Sequence, residues 1–251
     1  MSMPTSQNTS PAIAYPDEPT VLVERPSPAV AEVVLNRPRQ RNALSLEMIA
    51  MLRDRLQEIT ADSSVEVILL RGAGGCFCSG LDLSSIDPQQ APDELIYPAL
   101  LSVHAQLART DQAIVVALEK AAINGGAALA LAGDLVIAGE TSFLRIFELS
   151  MGLRIPMNLA WLASRYGSST AMQLILEGKP WFGEDLRRLA VASQSVPDGD
   201  VLATARQVAA HLGAYPAGAI RANIALMKQL RGPMSEESIF ERLPSSTGAE
   251  R

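Results

Sequence analysis

The sequence predicts a mixed α/β domain that ends in a helical region, and three observations carry that prediction. Short β-branched runs recur along the first two thirds of the chain, helical patterns separate them, and beyond about residue 195 only helical periodicity remains. With 251 residues, 48% of them hydrophobic and 19% charged, the chain is long enough to bury one sizeable core. The expected organisation is a lead over residues 1–19, a core over 20–195 and a helical region over 196–251.

Met1 to Pro19 is rich in Ser, Thr, Pro and Gln and lacks an apolar stretch, so it reads as a disordered lead rather than a signal segment. Val21-Leu22-Val23 and Ala31 to Leu35, separated by Pro26-Ser27-Pro28, predict two hairpin-like strands. Ser45 is placed to cap a helix whose apolar face carries Ile49, Leu52, Leu56 and Ile59, with Asp62-Ser63-Ser64 ending it. A buried strand is expected over Val65 to Leu70, then the turn Gly72-Ala73-Gly74-Gly75, the segment Cys76 to Leu83, and a polar, mobile loop to about Asp93. Leu100, Val103 and Leu107 mark a helix before a strand over Ile114 to Leu118. The run Gly125 to Ala132 is too Ala-rich for a strand and predicts a buried helix closed by Gly133, with a strand over Leu135 to Ala138 after it. Val201, Ala205, Val208 and Leu212 define one later helix, and Ile220, Ile224, Met227 and Leu230 another. Only Glu236 to Leu243 is expected to be helical after that, with a tail over Pro244 to Arg251.

The net charge of −6, with basic residues scattered as Arg37, Arg39, Arg41, Arg53 and Arg55, argues against a broad nucleic-acid surface. No stretch of 18 unbroken apolar residues occurs, so no membrane span is expected. Cys76 and Cys78, the only cysteines, point to opposite faces of an extended segment and do not suit a disulfide, which fits a reducing, cytoplasmic setting. His104 and His211 lack a second ligand at metal spacing, and no metal site is expected.

Three motifs stand in a set order. They are Leu35-Asn36-Arg37-Pro38 with Asn42-Ala43-Leu44-Ser45, then Phe77-Cys78-Ser79-Gly80-Leu81-Asp82-Leu83, then Asn124-Gly125-Gly126-Ala127-Ala128-Leu129-Ala130 up to Asp134. In order and spacing they resemble the crotonase superfamily, the enoyl-CoA hydratase/isomerase family, from about Val30 to Val196. The resemblance implies a spiral of repeated ββα units and a C-terminal helical region that mediates a homotrimer or a hexamer of two trimers. It also implies an acyl-CoA thioester as substrate, with no cofactor beyond the coenzyme A of the substrate itself.

A thioester enolate needs its oxygen held by donors fixed before reaction, and small residues let backbone N–H groups come close. Gly125 opens the Ala-rich helix, where first-turn N–H groups lack partners; Leu81, after Gly80, is the second donor that the resemblance implies. The competing reading is that Gly80 and Gly125 merely permit tight turns. Cys78, Ser79, Gly80, Asp82, Leu83 and Gly126 belong to the same motifs and are candidate substrate contacts, although Asp82 and Asp134 suit structural hydrogen bonds better. Arg37 and Arg39 resemble the side that meets the CoA phosphates, with a solvated basic face as the alternative. Phe143, Met157 and Trp161 are candidates for an acyl channel or for plain core.

In the hydratases of this family two glutamates act. The first falls on Ala128 here, so that carboxylate is missing; the second falls on Glu148. Ile146, Phe147 and Met151 are expected to desolvate Glu148 and raise its pKa toward neutrality, unless it pairs with Arg145 or Arg154. A single glutamate is the pattern of the family's isomerases, which favours isomerisation, with hydration or binding without efficient chemistry as alternatives. Lys120, Phe147 and the Met157-Asn158-Leu159-Ala160-Trp161 stretch depart from the family's usual residues. A serine peptidase, which shares the spiral, would need a Ser, His and Asp set that neither histidine supplies.

Overall fold

A computed structural model describes residues 19–82 and 92–243. The lead over residues 1–18, Leu83 and the polar stretch after it to residue 91, and the tail from Pro244 lie outside the described residues. In the first turn of the spiral, β1 (Val21–Ser27) and β2 (Val30–Leu35) pair antiparallel, with Val21 opposite Leu35, and α1 (Leu46–Ala61) follows. Ser45 caps α1 by accepting from the Met48 N–H. The second turn is β3 (Val67–Gly72), an extended stretch through Cys76 to Cys78, and α2 (Pro92–Arg109). β4 (Ala113–Leu118), β5 (Ala121–Ile123) and α3 (Gly125–Leu131) form the third, and β6 (Leu135–Gly139), β7 (Phe143–Arg145) and α4 (Pro156–Arg165) the fourth.

The first turn gives both its strands to a large sheet, and each later turn gives one strand to that sheet and a short extended segment to a second layer. The large sheet has the order β1-β2-β3-β4-β6-β9, where β9 is Gln194–Val196, and it is parallel from β2 onward. The second layer has the order β5-β7-β8, with β8 being Trp181–Phe182. Parallel register with β2 places Val67 opposite Val30, which moves β3 two residues later than the strand expected from Val65. The three-residue strands β5 and β7 were not expected, because so short a segment has no measurable period.

Both faces of the large sheet are covered, which explains why its strands read as unbroken apolar runs. Val33, Leu35, Ile68, Leu70, Ile114 and Val116 face the core that α1, α2 and α3 share. Val30, Val67, Leu69, Val115, Ala117 and Ile137 face Val201, Ala205 and Ala209 of α7 (Val201–Gly213). Glu32 is wholly buried in that sheet. Burial would raise its carboxyl, but hydrogen bonds from Arg206 and Arg71 outweigh it and hold the group below its ordinary range.

After α4, α5 (Gly167–Glu177), α6 (Gly183–Arg188), α7, α8 (Ala219–Arg231) and α9 (Glu236–Glu241) complete the described chain. α9 packs on α2 and α4, with Phe240 stacked on His104 and its ring centroid 4.8 Å from that of Trp161. Gly133 does not close α3 by a left-handed turn, because its φ is not positive. A Cβ there would come within 2.8 Å of Val116 Cγ2, so the glycine serves packing against β4. Among the described residues no helix is long and apolar enough to cross a membrane.

Candidate active site

The second layer sets the site. Cys78 bridges Ala122 in parallel, through Cys78 N–H to Ala121 O at 3.0 Å and Ile123 N–H to Cys78 O at 3.1 Å, and Ala122 in turn pairs with Leu144. Three successive turns of the spiral are therefore in register. Leu81, Gly125 and Glu148 follow the ends of those three strands: a Cβ on Gly125 would lie 3.7 Å from Leu81, and Asn124 is bonded to the residue before Glu148.

Leu81 forms a parallel bridge with Leu44, in which Leu44 N–H donates to Gly80 O and Asp82 N–H to Leu44 O. That pattern turns the Leu81 amide to the opposite side. Neither the Leu81 N–H nor the Gly125 N–H has an acceptor among the described residues. The glycines around them do different things. Gly80 has φ 96° and a Cβ there would lie 2.9 Å from Ile123 O; a Cβ on Gly126 would lie 2.5 Å from Cys78 O. Both let adjacent turns approach. At Gly125 a Cβ would meet Leu44, Leu81 and Leu100 at 3.6–3.7 Å, ordinary contact, so neither crowding nor a positive φ demands glycine there.

Asn124 joins this corner to Glu148. Its N–H donates to Arg145 O at 2.9 Å and its Oδ1 accepts from the Phe147 N–H at 3.1 Å. Glu148 opens a short 3-10 turn, Glu148–Met151, and its Oε2 is buried without a partner among the described residues. Burial pushes its carboxyl up to about 7, with the backbone N–H groups of Glu148 and Phe147 pulling it partway back. The alternative, an ion pair with Arg145 or Arg154, is not seen among the described residues: Arg145 donates to Gly178 O at 2.8 Å and lies over the Phe147 ring, while Arg154 is exposed. Ile146 is buried as expected, whereas Met151 is 48% exposed. Ala128 is buried one turn into α3.

The remaining candidates divide. Ser79 Oγ donates to Gln40 O at 3.3 Å, and Cys78 is fully buried with its thiol pushed up to about 12 by that burial, so it is no nucleophile. Arg37 is not a free cation. From the first motif it pairs with Asp82 of the second at 2.8 Å and donates to Ala43 O, a strut joining the two. Arg39 is exposed beside Arg41, and no partner for either guanidinium is seen among the described residues. Trp161 departs from the acyl-channel reading: it is fully buried on the inner face of α4, donates Nε1–H to His104 Nδ1 at 2.9 Å and packs on Phe240. Met157 is buried on the same helix, and Phe143 stands against Phe182 across β7 and β8. His104 is held neutral, its pKa driven down to about 3 by burial, and bonds Trp161, while His211 near the end of α7 meets Tyr215 just beyond it, so neither histidine hydrogen-bonds a serine among the described residues as a peptidase would require. Leu83 lies outside the described residues. Both cysteines are free, and no acidic, His or Cys cluster among the described residues could hold a metal.

Sequence reasoning missed three asparagines. Asn42, with φ 54°, ties the first motif to the second through Arg37 N–H, Ala73 O and Cys76 O. Asn124 and the buried Asn158, whose Nδ2 donates to Asn124 O at 3.3 Å, frame Gly125. All three hydrogen-bond to backbone brought close only by the fold; the one local hint, asparagine's tolerance of positive φ, applies to Asn42 and Asn124 and not to Asn158 within α4.

Residues 25–243 match the family described as enoyl-CoA hydratase/isomerase. A probable enoyl-CoA hydratase, echA12, of Mycobacterium bovis is 33% identical over 205 residues, covering 78% of this chain and 72% of its own. The 1,2-epoxyphenylacetyl-CoA isomerase of Escherichia coli is 34% identical over 197 residues, 74% of each chain. Among solved structures, a monofunctional enoyl-CoA isomerase from M. smegmatis superposes with a TM-score of 0.70 at 28% identity, over 90% of this chain and 99% of that one.

Proposed function

Since this chain belongs to the enoyl-CoA hydratase/isomerase family of the crotonase superfamily and is an enzyme of that type, we propose that it isomerises enoyl-CoA thioesters with one glutamate. The observation that carries the reading is the pairing of Ala128, where a second carboxylate would stand, with a Glu148 raised to about 7. The thioester oxygen sits between the Leu81 and Gly125 N–H groups. Glu148 takes a proton from C2 of a 3-enoyl-CoA, and the C–H electron pair moves into the thioester as a dienolate whose oxygen the two N–H groups hold. The proton then returns to C4, the double bond moves to C2=C3, and Glu148 is again a carboxylate. Leu44, Leu81 and Leu100 around Gly125 suit an acyl chain, and Arg39 with Arg41 suits the CoA phosphates.

Hydration of 2-enoyl-CoA is the second reading, favoured by the name of the mycobacterial relative. Assaying 3-enoyl-CoA isomerisation and 2-enoyl-CoA hydration side by side separates them: isomerisation alone is expected, hydration as the faster reaction refutes the single-glutamate mechanism, and binding without turnover of either refutes catalysis. The assembly is proposed to be a homotrimer. α8 buries none of its residues and leaves Leu226, Met227 and Leu230 exposed, the last at 74%, which a neighbouring copy would cover. A monomeric mass by light scattering would refute it.

A further inference from the structure

We propose that Asn124 and Asn158 are positioning residues that fix the Asn124–Gly125 peptide plane, aiming the Gly125 N–H at the thioester oxygen and holding the Glu148 segment beside it. The inference rests on the reading of Gly125 as an oxyanion donor.

Asn124 precedes the first residue of α3, where an asparagine ordinarily turns its side chain back to cap the first-turn N–H groups. It makes no such cap. Its Oδ1 instead accepts from Phe147 N–H, one residue before Glu148, and so ties the start of α3 to the Glu148 segment. Its backbone is held at φ 50° and ψ −111°, a region that side chains other than glycine seldom occupy. Contacts on all sides keep it there: its N–H donates to Arg145 O at 2.9 Å, and its carbonyl accepts from Ala128 N–H at 3.0 Å and from Asn158 Nδ2 at 3.3 Å.

That carbonyl and the Gly125 N–H belong to one peptide group. Donors on the carbonyl both lock the plane and polarise the N–H at its other end. Asn158 reaches it from α4, where its neighbours Met157, Ala160, Trp161 and Leu162 are buried and apolar. Asn158 as a whole is 3% exposed, and its Oδ1 is buried with no partner among the described residues. A buried amide that makes one long hydrogen bond contributes little to stability. Its contact is with the peptide that carries the donor. Through Asn124 the same strut reaches the 145–148 segment, so the oxyanion donor and the base are set by one residue.

The test uses Asn158→Leu, Asn124→Gly and Asn124→Asp, measured by kcat and KM for 3-enoyl-CoA isomerisation, by Tm, and by the infrared band of the 13C-labelled thioester carbonyl in bound acyl-CoA. Asn158→Leu keeps the volume and loses the donor. It is expected to lower kcat about 10-fold or more, with KM changed less than about threefold and the carbonyl band moved back toward its free frequency. Asn124→Gly accepts the same φ and ψ, so the fold persists while kcat falls; Asn124→Asp keeps the acceptor for Phe147 N–H and restores most of kcat. A wild-type band displaced on binding that stays displaced in both Asn158→Leu and Asn124→Gly overturns the strut alone. A wild-type protein that binds the ester without displacing the band removes the oxyanion reading and the strut with it.

Discussion

Replacing Glu148 by glutamine should make the protein inactive and, above neutral pH, more stable. The carboxyl ionises at about 7 in the folded protein against an ordinary 4.5, and burial is the main cause. The folded chain therefore holds that proton more tightly than the unfolded one. Stability from this group is fully present below pH 4.5 and is lost as pH rises through 7. The interval from 4.5 to about 7, at ~1.4 kcal/mol per pH unit, makes the ionised carboxylate cost the fold roughly 3 kcal/mol at pH 8. Glutamine keeps the shape without the charge, yet its amide is buried in turn, so about half of that, ~1.5 kcal/mol, should return. For a chain of this length that is a rise in Tm of roughly 3–6 °C at pH 8, shrinking to nothing at pH 4, where the glutamate is protonated in both states. Turnover of 3-enoyl-CoA should fall by at least the ~10² of general acid–base catalysis, with acyl-CoA affinity kept. Wild-type kcat/KM should rise with pH and level off above about 7, since the base must be ionised. Thermal scans at pH 4 and pH 8, beside isomerisation kinetics, decide the matter. Equal Tm values at pH 8 would refute the desolvation of Glu148, and unchanged turnover would refute its role as base.

Acyl-CoA esters at 100 times their Kd should stabilise the fold by about 2.7 kcal/mol, while the free acids give no shift; equal shifts with both would mean that coenzyme A is not recognised. Gly126→Ala should destabilise by several kcal/mol, on the order of 3, because its Cβ would fall 2.5 Å from Cys78 O, whereas Gly125→Ala, with contacts of 3.6–3.7 Å, should stay within ~1 kcal/mol of wild type in urea unfolding. Equal losses at the two positions would show that Gly126 is not packed against Cys78. Ala128→Glu buries a second carboxyl on the inner face of α3 and should lower Tm at pH 8 more than at pH 5, where the group takes up a proton; a loss independent of pH would show that the new carboxyl reaches solvent.

The sequence by itself determined the large sheet, the helices and the family. The apolar runs of β2, β3 and β4 and the spacing on α1 and α7 are properties of neighbouring residues, and they survive in the structure with boundaries shifted by a residue or two. The second and third motifs likewise pointed to Leu81 and Gly125, and the register of the family resemblance added Glu148. Tertiary structure decided how those residues meet. β5 and β7 are three residues each, too short to announce themselves, yet their pairing is what brings the ends of three turns into register. It also decided which glycine is needed for packing, Gly126 rather than Gly125, because that depends on Cys78 from another turn. Trp161 became core and Arg37 became a strut for the same reason: an aromatic ring or a guanidinium carries no mark in sequence of the partner it will find, here Phe240 and Asp82, each more than 40 residues away. Asn124 and Asn158 were silent in the chain because their hydrogen bonds run to a backbone that only the closed spiral places within reach.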